Sequence, residues 1–346
     1  MDSQPSVAVV GAGVAGVGVA HALRDADVAV TVFEKGREVS GRAATRRRHG
    51  CTYDYGANYV RTDDEWLLGI LDGVAMDGRI TVEDPIWTFD RAGTITESDR
   101  SEGAKWTYAD GIAHLGTALL ADTAATVHRE TRIDDLERTG EGWRLRDVDG
   151  RAWGEYDALV LTPPAPQTAD LLGSAAWRHD DRRPIREAIE SVPYRTVTSV
   201  VLHYDFELDV PYFGLVNADR AHDVWWLSRE ECKAGHVPDG ESLLVVQLSP
   251  DFSAEHFHDS ADRLVETVVA ATAAVLDDDR LAGPDWYDYQ HWRYAQPERA
   301  VDPAALDRAE RHDLFCAGDW VAGEGRVHLA LETGLRTGAD VAERLA

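Results

Sequence analysis

A glycine-rich hexad, Gly11-Ala-Gly-Val-Ala-Gly16, stands between a strand-like run and a helix-like run, and that placement constrains the chain more than any other feature. Ser6 to Val10 reads as a buried parallel strand, Val14 to Arg24 as a helix and Val28 to Phe33 as a second strand, so the chain opens with βαβ. Glu34 closes the second strand 18 residues beyond Gly16. In this setting each residue has a physical task. Gly11 makes a tight turn, Gly13 lets the backbone approach a pyrophosphate at a helix N-terminus, Gly16 lets helix and strand pack closely, and Glu34 takes two ribose hydroxyls.

The organisation beyond this opening is discontinuous. From Trp66 to Ala125 the pattern is irregular, with short strands around Ile80 to Val82 and Ile86 to Phe89 and a helix from Ile112 to Leu120. Short alternating strands resume at Thr126 to Leu136, Gly142 to Asp147 and Tyr156 to Thr162, and Pro163-Pro164-Ala165-Pro166 stops them. Val197 to Phe206, Val224 to Leu227 and Leu243 to Leu248 are strand-like, Ser260 to Leu276 is an amphipathic helix, and together they predict a second α+β domain on an antiparallel sheet. Leu314 to Asp319 is a buried strand ending in Gly-Asp, followed by a helix from Val327 to Leu345. The expected division is an α/β Rossmann-like cofactor domain from residues 1–65, 126–165 and 300–346, and a substrate domain from 66–125 and 166–299.

Charge narrows the partners. Asp and Glu number 62 against 35 Lys and Arg among 346 residues, a formal net charge of -27, which repels phosphate backbones and anionic lipid surfaces. Only Lys35, Lys105 and Lys233 are lysines. A solvated acidic shell of this kind suits the high-salt cytoplasm of a halophile, where screening weakens self-repulsion, while an ordinary acidic bacterial protein is the alternative. Cys51, Cys232 and Cys316 are far apart and form no C-x-x-C, so neither a disulfide framework nor a zinc site is expected, and a reducing cytoplasm fits. Met-Asp-Ser-Gln-Pro at the start carries no positive region of a leader peptide, and no run reaches the ~18 apolar residues of a membrane span. His256 and His258 lack partner carboxylates in a ligand pattern, and no metal is assigned.

A nicotinamide dehydrogenase completes its site within one Rossmann domain, whereas here a second signature stands near the C-terminus, and that asymmetry points to FAD. Asp319, after Gly318, suits ribitol or pyrophosphate-side hydroxyls, and helix amides near Val327 suit negative charge on a reduced isoalloxazine; a plain N-capping aspartate is the alternative. Gly334 and Gly338 cost helix propensity and mark a close helix contact. Arg42, after Gly41, and Arg46 are the fork-shaped donors for the two phosphates, with Arg47 and Arg48 solvent-facing or paired to local carboxylates.

GAGVAG, Glu34, Gly41-Arg42, Cys51-Thr-Tyr-Asp54-Tyr-Gly56-Ala57-Asn58-Tyr59, Asp157 to Pro166, His291-Trp292-Arg293-Tyr294-Ala295 and Cys316-Ala-Gly-Asp319 occur in an order that resembles the renalase-like flavoproteins of the amine-oxidase and phytoene-desaturase superfamily. The resemblance covers nearly the whole chain. It implies a glutathione-reductase/amine-oxidase type fold and a non-covalent FAD touched by Gly11, Gly13, Ala15, Gly16, Glu34, Lys35, Gly41, Arg42, Ile133, Gly318, Asp319, Arg326 and Val327. It further implies oxidation of isomeric 2- and 6-dihydro forms of NAD(P), with hydride passing to flavin N5 and on to O2 as H2O2. Such a substrate aromatises to a pyridinium, so positioning is nearly the whole task and no strong base is required.

Monoamine oxidases are similar in the same motifs, but they use a lysine near N5, an aromatic cage and often a cysteinyl-flavin. The strand from Val192 to Tyr204, where the lysine belongs, has none, and the helix beyond Gly325 has no cysteine. Another flavin amine oxidase or desaturase-type oxidoreductase, and a non-catalytic flavin or nucleotide sensor, are the other readings. Asn58, Tyr59, Trp106, Tyr108, Trp225, Trp226, Trp292, Tyr294 and Trp320 are the pocket candidates, about a third of them expected to touch substrate, with Tyr59, Trp292 and Trp320 foremost. His291 reads as a polar strand residue.

Overall fold

In the structure, a computed structural model describing residues 4–98 and 103–346, the opening run pairs in parallel on both sides. The five-stranded sheet runs in the order Leu314–Cys316, Ala158–Leu161, Ser6–Val10, Ala29–Phe33, Thr126–His128, parallel throughout. Alternation along the first strand divides its side chains between two cores. Ala8 and Val10 join one and Val7 and Val9 the other. A strand covered on both faces needs an unbroken apolar run, which is what the sequence supplies. The first three residues, which open the stretch expected to carry no leader peptide, lie outside the described residues. Among the described residues no helix is long and apolar enough to cross a membrane.

Helix Val14–Ala22 lies against the last helix, Val327–Leu345. A Cβ at Gly334 would overlap the Ala15 carbonyl oxygen, and one at Gly338 would stand 2.6 Å from the Ala22 Cβ. Both glycines therefore mark a close backbone crossing. Gly334→Ala should lower stability by about 1–3 kcal/mol of overpacking, less the ~1 kcal/mol of helix propensity it restores. A denaturant midpoint at or above that of the unmodified protein would show that the helices separate freely.

The second sheet has seven strands, ordered Trp286–Pro297, Tyr194–Tyr204, Ser242–Leu248, Val224–Arg229, Gly214–Asn217, Ile86–Phe89, Ile95–Thr96. Pairing is antiparallel except between Gly214–Asn217 and Ile86–Phe89. On Tyr194–Tyr204 the even-numbered Val200, Leu202 and Tyr204 pack in the core that also holds Leu264, Val265 and Val268 of helix Ala261–Leu276. Odd-numbered Val201 instead packs with Cys51 and Tyr53 of the hairpin Thr45–Arg48/Cys51–Asp54. That alternation turns one sheet face toward the glycine-rich turn's side of the molecule.

Two boundaries differ from expectation. Helices Ala165–Ser174 and Arg182–Glu190 bury Ala165, Leu172, Ile185 and Ile189 in the core of the five-stranded sheet, not in that of the second sheet. The proline run stops a strand and then begins a helix, with proline at the first helical turn. Most of the irregular stretch, including helices Glu65–Val74 and His114–Ala121, packs with Val14 and Val17 of the first helix, and among its described residues only Ile86–Phe89 and Ile95–Thr96 join the second sheet. Trp286–Pro297 and the hairpin are strands that the sequence does not announce, because their dense polar and aromatic content hides a period of two.

Candidate active site

A cavity of about 1490 Å³ runs from the glycine-rich turn, past Ser40 to Ala44 and Gly318-Asp319, to the second sheet, and it exceeds the ~300–1,000 Å³ typical of a small-ligand pocket. At the first end Gly11 adopts φ 101°, and its N–H donates to the Phe33 carbonyl at 2.7 Å. A Cβ at Gly16 would overlap the Gly11 carbonyl oxygen, whereas one at Gly13 would meet nothing, because Gly13 faces the cavity. Helix Val14–Ala22 has no side-chain cap and no acidic residue in its first turn, so its free amides and positive dipole end remain for an anion.

Glu34 lines the same end. Its Oε2 accepts from the Ala12 N–H at 2.8 Å and its Oε1 from the Gly36 N–H at 2.6 Å. A carboxylate offers about four lone-pair sites, so the two oxygens retain capacity for ribose hydroxyls. Glu34→Ala should weaken FAD binding by about 1.5–3 kcal/mol, roughly 10- to 150-fold, measured by titrating FAD into apoprotein. Unchanged occupancy would make Glu34 a strand-end residue only.

Arg42 departs from its expected role. Its guanidinium meets both Asp319 oxygens at 2.8 Å and donates to the Tyr294 and Ala295 carbonyls at 3.1 and 2.9 Å. Burial works against its charge, but Asp319 outweighs it and raises the pKa. The fork expected on phosphate thus ties the Ser40 to Ala44 loop to Asp319 and to the end of Trp286–Pro297. The reason is that Asp319 is only 4% exposed, and a buried carboxylate requires a cation. Arg46 likewise bonds Asp288 and Gln290, both at 2.9 Å, and its guanidinium lies 4.1 Å from the Tyr55 ring. Arg47 pairs with Asp110, and Arg48 donates to the Tyr287 carbonyl.

Of the cofactor candidates, Ala15, Lys35, Gly41, Ile133, Gly318, Asp319, Arg326 and Val327 line the cavity together with Gly11, Gly13, Glu34 and Arg42; Gly16 is packed behind the turn. Of the nine pocket candidates, Trp292 and Tyr294 line it. The others are placed elsewhere by packing. Trp320 is fully buried in the first core, its Nε1 donating to the Pro163 carbonyl, and Trp106 and Tyr108 are buried beside the first helix. Asn58 donates to the Asp54 carbonyl, Tyr59 and Trp226 meet each other and Phe213, and Trp225 meets Arg195 and Arg220. Adjacency to a motif in sequence does not translate into exposure to its cavity.

The sheet end of the cavity is walled by Tyr55 and Gly56, within the Cys51 to Tyr59 motif, and by three residues that no motif includes: Val197, Gln247 and Gln290. Tyr55 and Trp292 are stacked, centroids 5.4 Å apart at 22°, and the Trp292 Nε1–H donates to the Tyr55 carbonyl. Gln247 Nε2 donates to the Gly56 carbonyl at 2.7 Å, leaving its own carbonyl oxygen for a ligand. Strand alternation identifies Val197 as cavity-facing, but the register that sets Gln247 and Gln290 either side of Ser199 is tertiary information. His291 also borders the cavity, but its ring is engaged elsewhere: Nδ1 meets Thr198 Oγ1 at 2.8 Å and the ring packs on Phe257.

A buried ionic quartet anchors this wall from behind. Lys233 Nζ lies 2.8 Å from Asp54 and 2.8 Å from Glu230, all three fully buried. Asp54 also accepts from the Ile112 N–H, Thr45 and Thr107. His236 points one ring nitrogen at Glu230 and the other at the Tyr108 carbonyl. Burial opposes a charged Asp54, but Lys233 and then His236 overcome it and lower its pKa. Sequence reasoning misses this set, since Lys233 and Asp54 are 179 positions apart.

The sequence profile described as an NAD(P)-binding Rossmann-like domain matches residues 9–74, and that described as flavin containing amine oxidoreductase matches residues 95–342. The chain is similar to Polyamine oxidase 4 of Oryza sativa subsp. japonica, 45% identical over 68 residues, a match spanning 20% of this chain and 12% of that protein. In structure it is similar to an Exiguobacterium sp. 255-15 protein provisionally assigned as a protoporphyrinogen oxidase, with TM-score 0.80, 15% identity and 99% of both chains covered. It is also similar to wild-type putrescine oxidase bound to putrescine, with TM-score 0.74, 16% identity, 99% of this chain and 100% of that one covered. At such identities the structural likeness shows the shared fold.

Proposed function

Because the chain belongs to the flavin-containing amine oxidoreductase family and its cofactor is FAD, we propose that it is an oxidase of isomeric dihydronicotinamides, the 2- and 6-dihydro forms of NAD(P), rather than of amines. The observation that carries this reading is the state of the aromatic wall. An ammonium caged between two rings needs a gap of about 7 Å, twice a van der Waals contact. Tyr55 and Trp292 stand 5.4 Å apart, stacked on each other, and Tyr55 already carries the Arg46 guanidinium at 4.1 Å. A cationic amine would meet a closed pair and a like charge, whereas a flat, uncharged dihydropyridine can lie along the wall.

Bound FAD supplies a hydride acceptor that O2 reoxidises to H2O2. The chain's residues position and shield. Gly11 to Val14 and Glu34 would hold the adenosine and pyrophosphate end, Asp319, held by Arg42, would meet the ribityl side, and the amides before Val327 would face the ring end. Trp292 sets the plane of the substrate, Val197 excludes water beneath it, and the free Gln247 carbonyl oxygen accepts from a polar substituent such as a carboxamide N–H. Strand Tyr194–Tyr204 places no lysine here, and the His291 ring is engaged by Thr198, in keeping with a hydride donor that needs no base.

The test is an anaerobic titration of the purified flavoprotein. An isomeric dihydronicotinamide should bleach the flavin and air should restore it, while putrescine and cyclohexylamine leave it oxidised. Bleaching by the amines would establish the amine-oxidase reading, which the family match favours, and bleaching by neither would leave a binding protein. Acid or heat should release FAD intact, because the described helix Val327–Leu345 has no cysteine and Cys316 is 7% exposed within a core strand. Flavin retained on the precipitated protein would contradict non-covalent binding.

A further inference from the structure

We propose that Cys51, His203 and Glu241 form a zinc-binding site, remote from the cavity, that fastens the Thr45–Arg48/Cys51–Asp54 hairpin to the end of the seven-stranded sheet. The three residues come from separate parts of the chain, yet their ligand atoms all lie within 4.8 Å of one another. The fold brings them there by register. His203 pairs with Leu243 and Tyr204 with Ser242, so Glu241 enters beside His203, and the alternation that turns Val201 toward the hairpin turns His203 the same way, onto Cys51.

The local chemistry suits a cation at this spot. His203 Nε2 lies 2.8 Å from Glu241 Oε2, and Nδ1 lies 3.5 Å from Asp285 Oδ2, while the Trp286 ring, stacked at 5.0 Å and 11°, fixes the imidazole plane. With the ring hydrogen on Nδ1 toward Asp285, Nε2 and Glu241 present lone pairs to each other. A second proton on the ring would relieve this, but an imidazolium between two carboxylates has no use for the buried Cys51. A metal ion uses all three groups. Thiolate, imidazole and carboxylate together suit zinc, and Asp285 stands where a carboxylate orients a metal-bound histidine. Zinc–ligand bonds of about 2.0–2.3 Å put ligand atoms about 3.5 Å apart, so Glu241 need only shift outward slightly while the others close in. Glu241 is one-third exposed, which gives an entry path and room for water as the fourth ligand. Binding exchanges the Cys51 thiol proton for the metal, and thiolate plus carboxylate balance its two charges.

Among the described residues two other groups bring histidines and carboxylates this close, and each already holds a cation. Lys233 sits within Asp54, Glu230 and His236, and Arg308 lies 3.6 Å from Asp181 in the set with His179 and His312. Only the Cys51 group combines a soft ligand with an unfilled centre.

The test uses the full-length holoprotein, loaded with zinc and then dialysed against a weak chelator, because a chain with 62 acidic residues adsorbs metal over its whole surface. Elemental analysis should find one retained zinc per chain, and isothermal titration one tight site. Cobalt(II) in its place should give tetrahedral thiolate bands to the red of the flavin absorption. Cys51→Ser and Glu241→Gln should each lose the retained equivalent, and Asp285→Asn should weaken it about 10- to 100-fold. Glu241→Gln, altering a partly exposed group, guards against a Cys51→Ser variant that misfolds. No retained zinc, or equal retention by Glu241→Gln and the unmodified protein, overturns the site and leaves His203 as a hydrogen-bond partner of Glu241.

Discussion

Replacing Lys233 by methionine should destabilise the protein by about 3–5 kcal/mol, a greater loss than the crossing of the two helices should suffer at Gly334. The side chain is fully buried between Asp54 and Glu230, and methionine fills similar volume, so the loss reports charge and not a cavity. Without the ammonium two buried carboxylates face each other, with the His236 ring beside Glu230. One of them must then take up a proton. In the unmodified protein Asp54 is held below its ordinary 3.8, so its contribution is complete above that value and lost as pH falls further. Lys233 is raised above 10.5, burial opposing and Asp54 then Glu230 outweighing it, so its contribution is complete below 10.5 and lost as pH rises through the folded value. The variant reverses the acid limb. A carboxylate whose folded pKa is raised binds more protons folded than unfolded, so the variant's stability falls as pH rises, and its deficit should narrow toward pH 5. Urea midpoints at pH 5 and pH 8 measure this. A deficit independent of pH would mean that the quartet acts by packing alone.

That quartet also marks the limit of what the sequence discloses. The glycine-rich turn and Glu34 are legible because strand, turn, helix and acidic strand end lie within a few tens of residues and each has a local physical requirement. Gly334 and Gly338 are legible for a similar reason: glycine within a helix needs a cause, and the first helix provides it. Arg42 stands out in the sequence but its partner does not, since the carboxylate that takes its guanidinium in place of phosphate stands 277 residues away. Trp320 and Trp106 lie beside motifs, whereas strand and helix phase turn them into cores. Tyr55 lies in the Cys51 to Tyr59 motif but nothing there names its partner, and Gln247 and Gln290 carry no local signal at all. Their meeting depends on how three strands and a hairpin are registered, which no period in the sequence encodes.

The aromatic wall yields the second large effect. Trp292→Ala should slow anaerobic flavin reduction by the dihydronicotinamide about 100-fold with FAD still bound, because a donor carbon misplaced by about 1 Å costs that much. The indole stacks on Tyr55, donates to the Tyr55 carbonyl and abuts Gly56, so its removal frees both the substrate plane and the strap that carries it. His291→Ala, one residue away, should change the rate little. Its ring sits on the other face of the strand, bonded to Thr198, and burial, with His258 adding, holds its pKa below 6.5, so it is neutral across the working range. Reduction by a hydride donor that becomes a pyridinium requires no deprotonation, and the rate should therefore stay nearly level from pH 7 to pH 9 wherever FAD remains bound. Amine oxidation behaves otherwise: the neutral amine is the reacting form, so the rate climbs through an amine pKa. Stopped-flow reduction of the two variants and the unmodified protein across that range separates the cases. A greater loss at His291 than at Trp292, or a steep rise with pH, would replace positioning with acid–base chemistry and return the site to amines.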